Sequence, residues 1–327
     1  MVLSRLSLWP TISLATAISF TTSVSASTNS TYPKRGLIYI STSHSSSDDS
    51  IFTQSGSPLT WFYNYSPWPT DSLSDAMEFV PMVHGASDAE DDVDTIKSLS
   101  GVSHILTFNE PDIGTADGGT NTLPRDAAKA YLDTLAPLRA EPYGLKLSLP
   151  ATSGSEAGLT WLTKFNTSCY HLNSTHGCEF DFIATHFYGP FPSLTSWLGQ
   201  IHELYPNKKI WLTEFAIPAA DDETTLAMMN ETLPYLDGLG YVERYSWFGT
   251  FRSDDANEWT GDGVSMLDGS GKLTSVGAEY LGGQQNGFEE GQGQTSAATV
   301  VAGFRPAIKY LLVGLVVGML DTIRPVW

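Results

Sequence analysis

Eight short runs of apolar, β-prone residues recur along the chain, most of them followed by a helix-like stretch. The runs are RGLIYI, LTWFYNY, EFVPMVHG, HILTFNEP, LKLSLPAT, FDFIATHFYG, KKIWLTEFAIP and RYSWFGTF. They read as near-continuous apolar segments, the pattern of strands covered on both faces rather than strands with one wet side. Between them, DVDTIKSLSG, DAAKAYLDTLAPLRA, SLTSWLGQIHELYP and TLAMMNETLPYLDGLG carry apolar residues at helical spacing. Strand and helix alternating in this way over roughly 250 residues is the size and rhythm of one α/β domain of the (β/α)8 TIM-barrel class. A doubly wound sheet would bring a glycine-rich phosphate loop after its first strand. RGLIYISTSHSSSDD has none.

In a barrel the chemistry collects at the C-terminal ends of the strands. Those ends are Tyr63, Asn64, Tyr65 and Trp68 on the second run, His84 on the third, and Asn109 and Glu110 on the fourth. The sixth run ends on His186 and Tyr188, the seventh on Glu214, and the eighth on Trp247 and Phe248. Glu110 in ILTFNEP and Glu214 in IWLTEFAIP each close an apolar strand beside a proline. Their spacing is about three βα units of ~31 residues, which sets them across the barrel mouth from each other.

Two facing carboxyls suit cleavage of a glycosidic bond. One must hold a proton for the departing oxygen while the other stays ionised and attacks the anomeric carbon. A separation of ~5–5.5 Å fits retention of configuration and ~6.5–9.5 Å fits inversion. A lone Glu at a strand end is more often an ion-pair partner, but buried Arg or Lys partners are scarce here, with only Arg244 and Arg252 flanking the eighth run.

Sugar rings present apolar C–H faces to aromatic side chains, so Trp61, Tyr63, Trp68, Tyr188 and Trp247 are candidate substrate-binding residues. Asn64, Asn109, His84 and His186 are candidates for bonding sugar hydroxyls. No HExxH or G-x-S-x-G motif is present, and no metal or other cofactor is expected. A net charge of −19 argues against nucleic acid or an anionic membrane surface as partner.

LTFNEPD, ATHFYG, KKIWLTEFAIP and RYSWFG, in that order behind WFYNYSPWP and FVPMVHG, resemble the fungal members of glycoside hydrolase family 128. The likeness runs from about Gly36 to Leu281. NEP and TEF alone point only to the wider clan of barrel hydrolases; WFYNYSPWP and THFYG narrow it. The resemblance implies a retaining β-1,3-glucanase acting on cell-wall glucan, with Glu110 as acid/base and Glu214 as nucleophile. It implies β-1,3-glucan as the partner, and the protein is expected to act as a monomer. Binding of glucan without turnover, or transfer of the sugar to another chain, would use the same residues.

Outside residues 35–284, the expected catalytic domain, the ends read differently. Residues 1–26 have the layout of a secretory signal peptide closing on Val24-Ser25-Ala26, followed by a lead-in over 27–34. Residues 285–327 read as a low-order linker and a short apolar tail, KYLLVGLVVGML, with features of a GPI-attachment signal although Asp321 and Arg324 interrupt it. Membrane or cell-wall attachment through this tail is one expectation. Cys169 and Cys178 are expected to form a disulfide in an oxidising compartment rather than a zinc site with His171 and His176. Sequons at Asn29, Asn166, Asn173 and Asn230 suit a secreted chain, while Asn64 sits in a strand-like run.

Overall fold

The computed structural model describes residues 34–293. The expected leader, Asn29, most of the lead-in and the apolar tail lie outside the described residues. Nine strand segments are described: β1 Arg35–Ile38, β2 Trp61–Tyr63, β3 Glu78–Phe79, β4 Met82–Val83, β5 His104–Thr107, β6 Lys146–Leu149, β7 Phe182–Tyr188, β8 Ile210–Ala216 and β9 Val242–Trp247. Every pairing between them is parallel, in the order β3-β2-β1-β9-β8-β7-β6-β5-β4.

The two ends of that order are one strand. Only Val80 and Pro81 separate β3 from β4, and proline has no amide hydrogen for a ladder. The interrupted segment still bonds on both sides. Val80 N donates to Phe62 O at 2.9 Å and Met82 N to Ser66 O at 3.1 Å, while Pro81 O accepts from Leu106 N at 3.0 Å. The sheet therefore closes into an eight-stranded parallel barrel in chain order, and the expected fold class holds.

Side chains sort into two cores. Ile38, Trp61, Tyr63, Leu106, Phe182, Ala184 and Trp211 fill the lumen. Their strand neighbours, including Leu37, Phe62, Ile105, Ile183 and Leu212, pack outward with the helices. This is the two-residue alternation of a strand wrapped around a filled barrel.

The helices Ala89–Ser98, Phe191–Leu204 and Asp222–Gly238 match expected segments, as does Pro124–Ala130 with its continuation to Arg139. Glu156–Leu172 was not among them. Ser155 caps it by accepting from Gly158 N at 3.1 Å, and it buries Trp161, Leu162, Phe165 and Cys169, of which Leu162 and Phe165 are each worth about 1.5–3 kcal/mol if fully buried. Thr163, Thr167 and Ser168 hide it in the sequence as poor helix formers. In place, their hydroxyls bond back to the carbonyls of Leu159, Thr163 and Lys164.

The folded body runs past the expected boundary at residue 284. Phe288 is buried in the outer core, Leu273 N donates to Gln292 O at 2.9 Å, and Gly291 N donates to Leu273 O at 2.8 Å. Cys169 and Cys178 form the expected disulfide. Among the sequons, Asn166 and Asn230 are exposed, whereas Asn64 Nδ2 is engaged by Trp68 O at 2.7 Å. No helix among the described residues is long and apolar enough to cross a membrane.

Candidate active site

A cavity of about 1010 Å³ opens at the C-terminal ends of the strands and contains both predicted carboxylates. Glu214 is carried by β8, and its direction depends on one extra residue. Leu212 is opposite Thr185 on β7, yet Glu214 is opposite His186, so β8 uses two residues where β7 uses one. Against β9, Leu212 to Phe215 spans only Tyr245 to Trp247. The surplus residue is Thr213. In a regular strand Trp211 and Thr213 would face the lumen and Glu214 the helices; the bulge turns Glu214 inward. The Thr213 carbonyl is held by Tyr63 Oη at 3.0 Å and Ser246 Oγ at 2.5 Å.

Glu110 is placed by a second irregularity. Phe108 and Glu110 have φ of 35° and 37°, a region that side-chain-bearing residues rarely adopt. Hydrogen bonds on both flanks hold them: Phe108 N to Val83 O at 2.8 Å, Asn109 N to His84 O at 2.8 Å, and Glu110 N to Ala151 O at 2.8 Å. Phe108 thereby joins the outer core, and Asn109 and Glu110 both reach the cavity.

Oxygens of the two carboxylates and a ring nitrogen of His186 all lie within 4.8 Å of one another. His186 is fully buried, with Nδ1 at 2.9 Å from Glu110 Oε1 and 3.4 Å from Glu214 Oε2. Gly154 makes room for this strand: its φ is +72°, and a Cβ there would lie 2.3 Å from His186 O. Glu214 Oε1 accepts from Tyr65 Oη at 2.7 Å, with Tyr63 Oη at 3.5 Å, and Glu214 Oε2 accepts from Tyr188 Oη at 2.5 Å.

The electrostatics follow from this crowding. Burial pushes the Glu214 carboxyl up; His186 opposes that, Glu110 adds to it, and the Tyr188 and Tyr65 hydroxyls draw it back, leaving it above the ordinary carboxylate range. Burial, then the Glu214 charge, drives the phenols of Tyr63, Tyr65 and Tyr188 well above 10, so all three remain donors. Burial disfavours charge on His186, but Glu214 and the bond to Glu110 outweigh it and its pKa is raised. His84, half-buried on the cavity wall, is pushed down by burial.

Glu110, His186 and Glu214 are also the cluster among the described residues close enough to hold a metal ion. Two strong hydroxyl donors already occupy the oxygens of Glu214, and His186 Nδ1 faces Glu110 as a hydrogen-bond partner. Those contacts suit a carboxylate pair bridged by an imidazole.

Asn109, His84, His186 and Tyr188 therefore fall in the site as expected. Five other predicted residues, Trp61, Tyr63, Asn64, Trp68 and Trp247, do not line the cavity. Trp61, Tyr63 and Tyr65 stack up the lumen at every second position: Trp61 lies on the floor against Trp211, with Nε1 on Lys34 O at 3.0 Å, and Tyr63 is the supporting layer beneath Glu214. Tyr65 alone of the three reaches the cavity. Trp247 is turned out to the helices and donates to Val264 O at 2.8 Å, and its neighbour Phe248 takes the cavity wall. Asn64 pins the loop carrying Trp68, which stands exposed on the rim. Trp259, in the loop after β9, lines the cavity without having been anticipated.

The glycosyl hydrolase catalytic core family matches residues 36–280. The chain belongs to that family. Alkali-sensitive linkage protein 1 of Schizosaccharomyces pombe is 33% identical over 260 residues, covering 76% of this chain and 44% of that protein. The chain thus spans less than half the length of this curated relative. Among solved structures, a family 128 (subgroup VI) exo-β-1,3-glucanase from Aureobasidium namibiae superposes with a TM-score of 0.68 at 22% identity, over 78% of this chain and 98% of that one. A curdlan-specific exo-β-1,3-glucanase (subgroup III) from Blastomyces gilchristii, in complex with glucose, gives 0.56 at 29%, over 76% and 97%. An endo-β-1,3-glucanase (subgroup II) from Pseudomonas viridiflava gives 0.61 at 26%, over 76% and 97%. The family resemblance expected from the motifs is borne out, and this glycosyl hydrolase core is an enzyme fold carrying a carboxylate pair.

Proposed function

We propose that the protein cleaves β-1,3-glucan with retention of anomeric configuration. The observation that carries the reading is that an oxygen of Glu110 lies within 4.8 Å of an oxygen of Glu214, an approach that suits the close carboxyl pair of a retaining enzyme better than the wider pair of an inverting one. The β-1,3 linkage rests on the activities of two solved relatives at 29% and 26% identity.

The hydrogen bonds support one division of roles. Glu214 receives two short hydroxyl bonds, which favour its ionised form against the upward push of burial and suit it to the role of nucleophile. A Glu214 oxygen bonds to the anomeric carbon while the glycosidic oxygen departs with the proton of Glu110. Glu110 then takes a proton from water, whose oxygen attacks the same carbon and frees Glu214. His186 bonds to Glu110 and spans the pair. Asn109 Oδ1, buried and without a partner, is available to a sugar hydroxyl.

Time-resolved proton NMR on linear β-1,3-glucan oligosaccharides tests this, with the β-anomer expected first. An α-anomer would overturn retention, and full activity in Glu110→Gln and Glu214→Gln would overturn the site. Transfer of the glycosyl unit to a second sugar is the alternative outcome, since it would use the same residues; longer products would reveal it. We also propose secretion directed by residues 1–26 and wall or surface attachment through the apolar tail KYLLVGLVVGML. Sequencing of the mature termini tests both.

A further inference from the structure

We propose that Trp259 is a sugar-stacking platform that sets how tightly the glucan is held beside the catalytic pair. This rests on the glycoside hydrolase reading and adds a binding residue to it. Trp259 is 58% exposed and lines the cavity that holds Glu110 and Glu214. A large indole left uncovered at the mouth of a cavity is the kind of surface a ligand completes.

The loop is built to keep it there. Asn257 Oδ1 accepts from Trp259 N at 3.0 Å, from Thr260 N at 2.8 Å and from Thr260 Oγ1 at 3.1 Å. Gly261 N donates to Asn257 O at 3.0 Å, and Thr260 O accepts from Ala219 N at 2.8 Å, tying the turn to the segment after β8. The indole then meets the edge of the Tyr188 ring, with centroids 4.7 Å apart and planes at 67°. Tyr188 is in turn bonded to Glu214. The platform is thus fixed relative to the nucleophile by one intervening ring.

The ligand chemistry follows from the surroundings. A β-linked glucopyranose carries its hydroxyls equatorially, so both faces are C–H surfaces and its rim is polar. The cavity offers the matching set: Trp259 for a face, and Asp117, Ser153, Ser155 and Asn257 for hydroxyls at the rim. Stacking on a held indole supplies binding that is equal in ground and transition states, which lowers KM and leaves kcat.

The test compares the wild type with Trp259→Ala and Trp259→Phe on a ladder of β-1,3-glucan oligosaccharides and the polymer, with Tm measured alongside. Trp259→Ala is expected to raise KM about 10-fold, the upper range of an aromatic contact, with kcat within about 2-fold. Trp259→Phe is expected to recover most of the loss. An unchanged KM in Trp259→Ala overturns the proposal, as does a fall in kcat at constant KM, which would mean that Trp259 only supports Tyr188. Should the wild type ignore β-1,3 links and cleave another β-glucan, the linkage assignment fails and the same comparison on that glucan decides the platform. If nothing is cleaved, calorimetric titration of the wild type and Trp259→Ala with the oligosaccharides decides it by the same 10-fold loss.

Discussion

Replacing Tyr188 with Phe removes one oxygen and leaves the ring that packs on Phe248 and Trp259. That oxygen donates to Glu214 Oε2 at 2.5 Å, and a hydrogen bond to a charged group contributes about 1.5–3 kcal/mol. At 1.36 kcal/mol per pK unit, losing it should raise the Glu214 pKa by about 1–2 units, because only the ionised form gains from the donor. Activity requires ionised Glu214. The acid limb of kcat/KM in the wild type should therefore lie above the ordinary carboxylate position, as burial dictates, and should move further up by about 1–2 pH units in Tyr188→Phe. Tyr65→Phe, removing a 2.7 Å donor, should act in the same direction, and Tyr63→Phe, at 3.5 Å, much less. The assay is a pH–rate profile at low substrate for the four proteins. An acid limb that stays put or moves down in active Tyr188→Phe refutes Glu214 as the group that must be ionised.

Ser246→Ala takes one of two donors from the Thr213 carbonyl; an unsatisfied share of about 1–3 kcal/mol should loosen the bulge, lowering kcat about 10-fold or more with KM little changed, read by steady-state kinetics. Asp92, pushed up to about 6 by burial and the nearby Asp88, gains a proton more readily folded than unfolded. Its ionised form therefore costs stability as pH rises from about 4 through 6, and Asp92→Asn should raise Tm at pH 7–8 but not at pH 4, read by thermal melts across pH.

The barrel was legible because strands buried on both faces leave unbroken apolar runs, and each of the eight runs became a strand. The carboxylates were legible for a related reason: a charged residue ending such a run has no place in a core. Layer and parity were not. WFYNY contains three inward residues, and nothing in their identity says that Trp61 is floor, Tyr63 support and Tyr65 site; the height of each depends on how neighbouring strands are staggered. In RYSWFG the more conspicuous Trp247 faces the helices and Phe248 the cavity. Trp259 belongs to a loop whose path is set by Asn257 and by contacts with the segment after β8, none of them local in pattern.

The catalytic pair depends on two departures from regular strand geometry, and both solve the same problem. A regular strand presents every second residue to the lumen, so it cannot aim two successive residues into the mouth, nor reverse which residue faces inward near its end. On β5 the left-handed Phe108 breaks the alternation, sending its own ring outward and bringing both Asn109 and Glu110 to the cavity. On β8 the extra Thr213 does it, turning Glu214 from the helix side to the lumen. Such positions cost of order 1–3 kcal/mol each, and they persist because neighbouring strands bond them from both sides. A closed barrel supplies those neighbours at every strand, which an open sheet does not at its edges. The two carboxylates are thus brought to one mouth by backbone irregularities and held there by His186, Tyr65 and Tyr188, and substitutions that relax Phe108 or Thr213 should separate them before they unfold the protein.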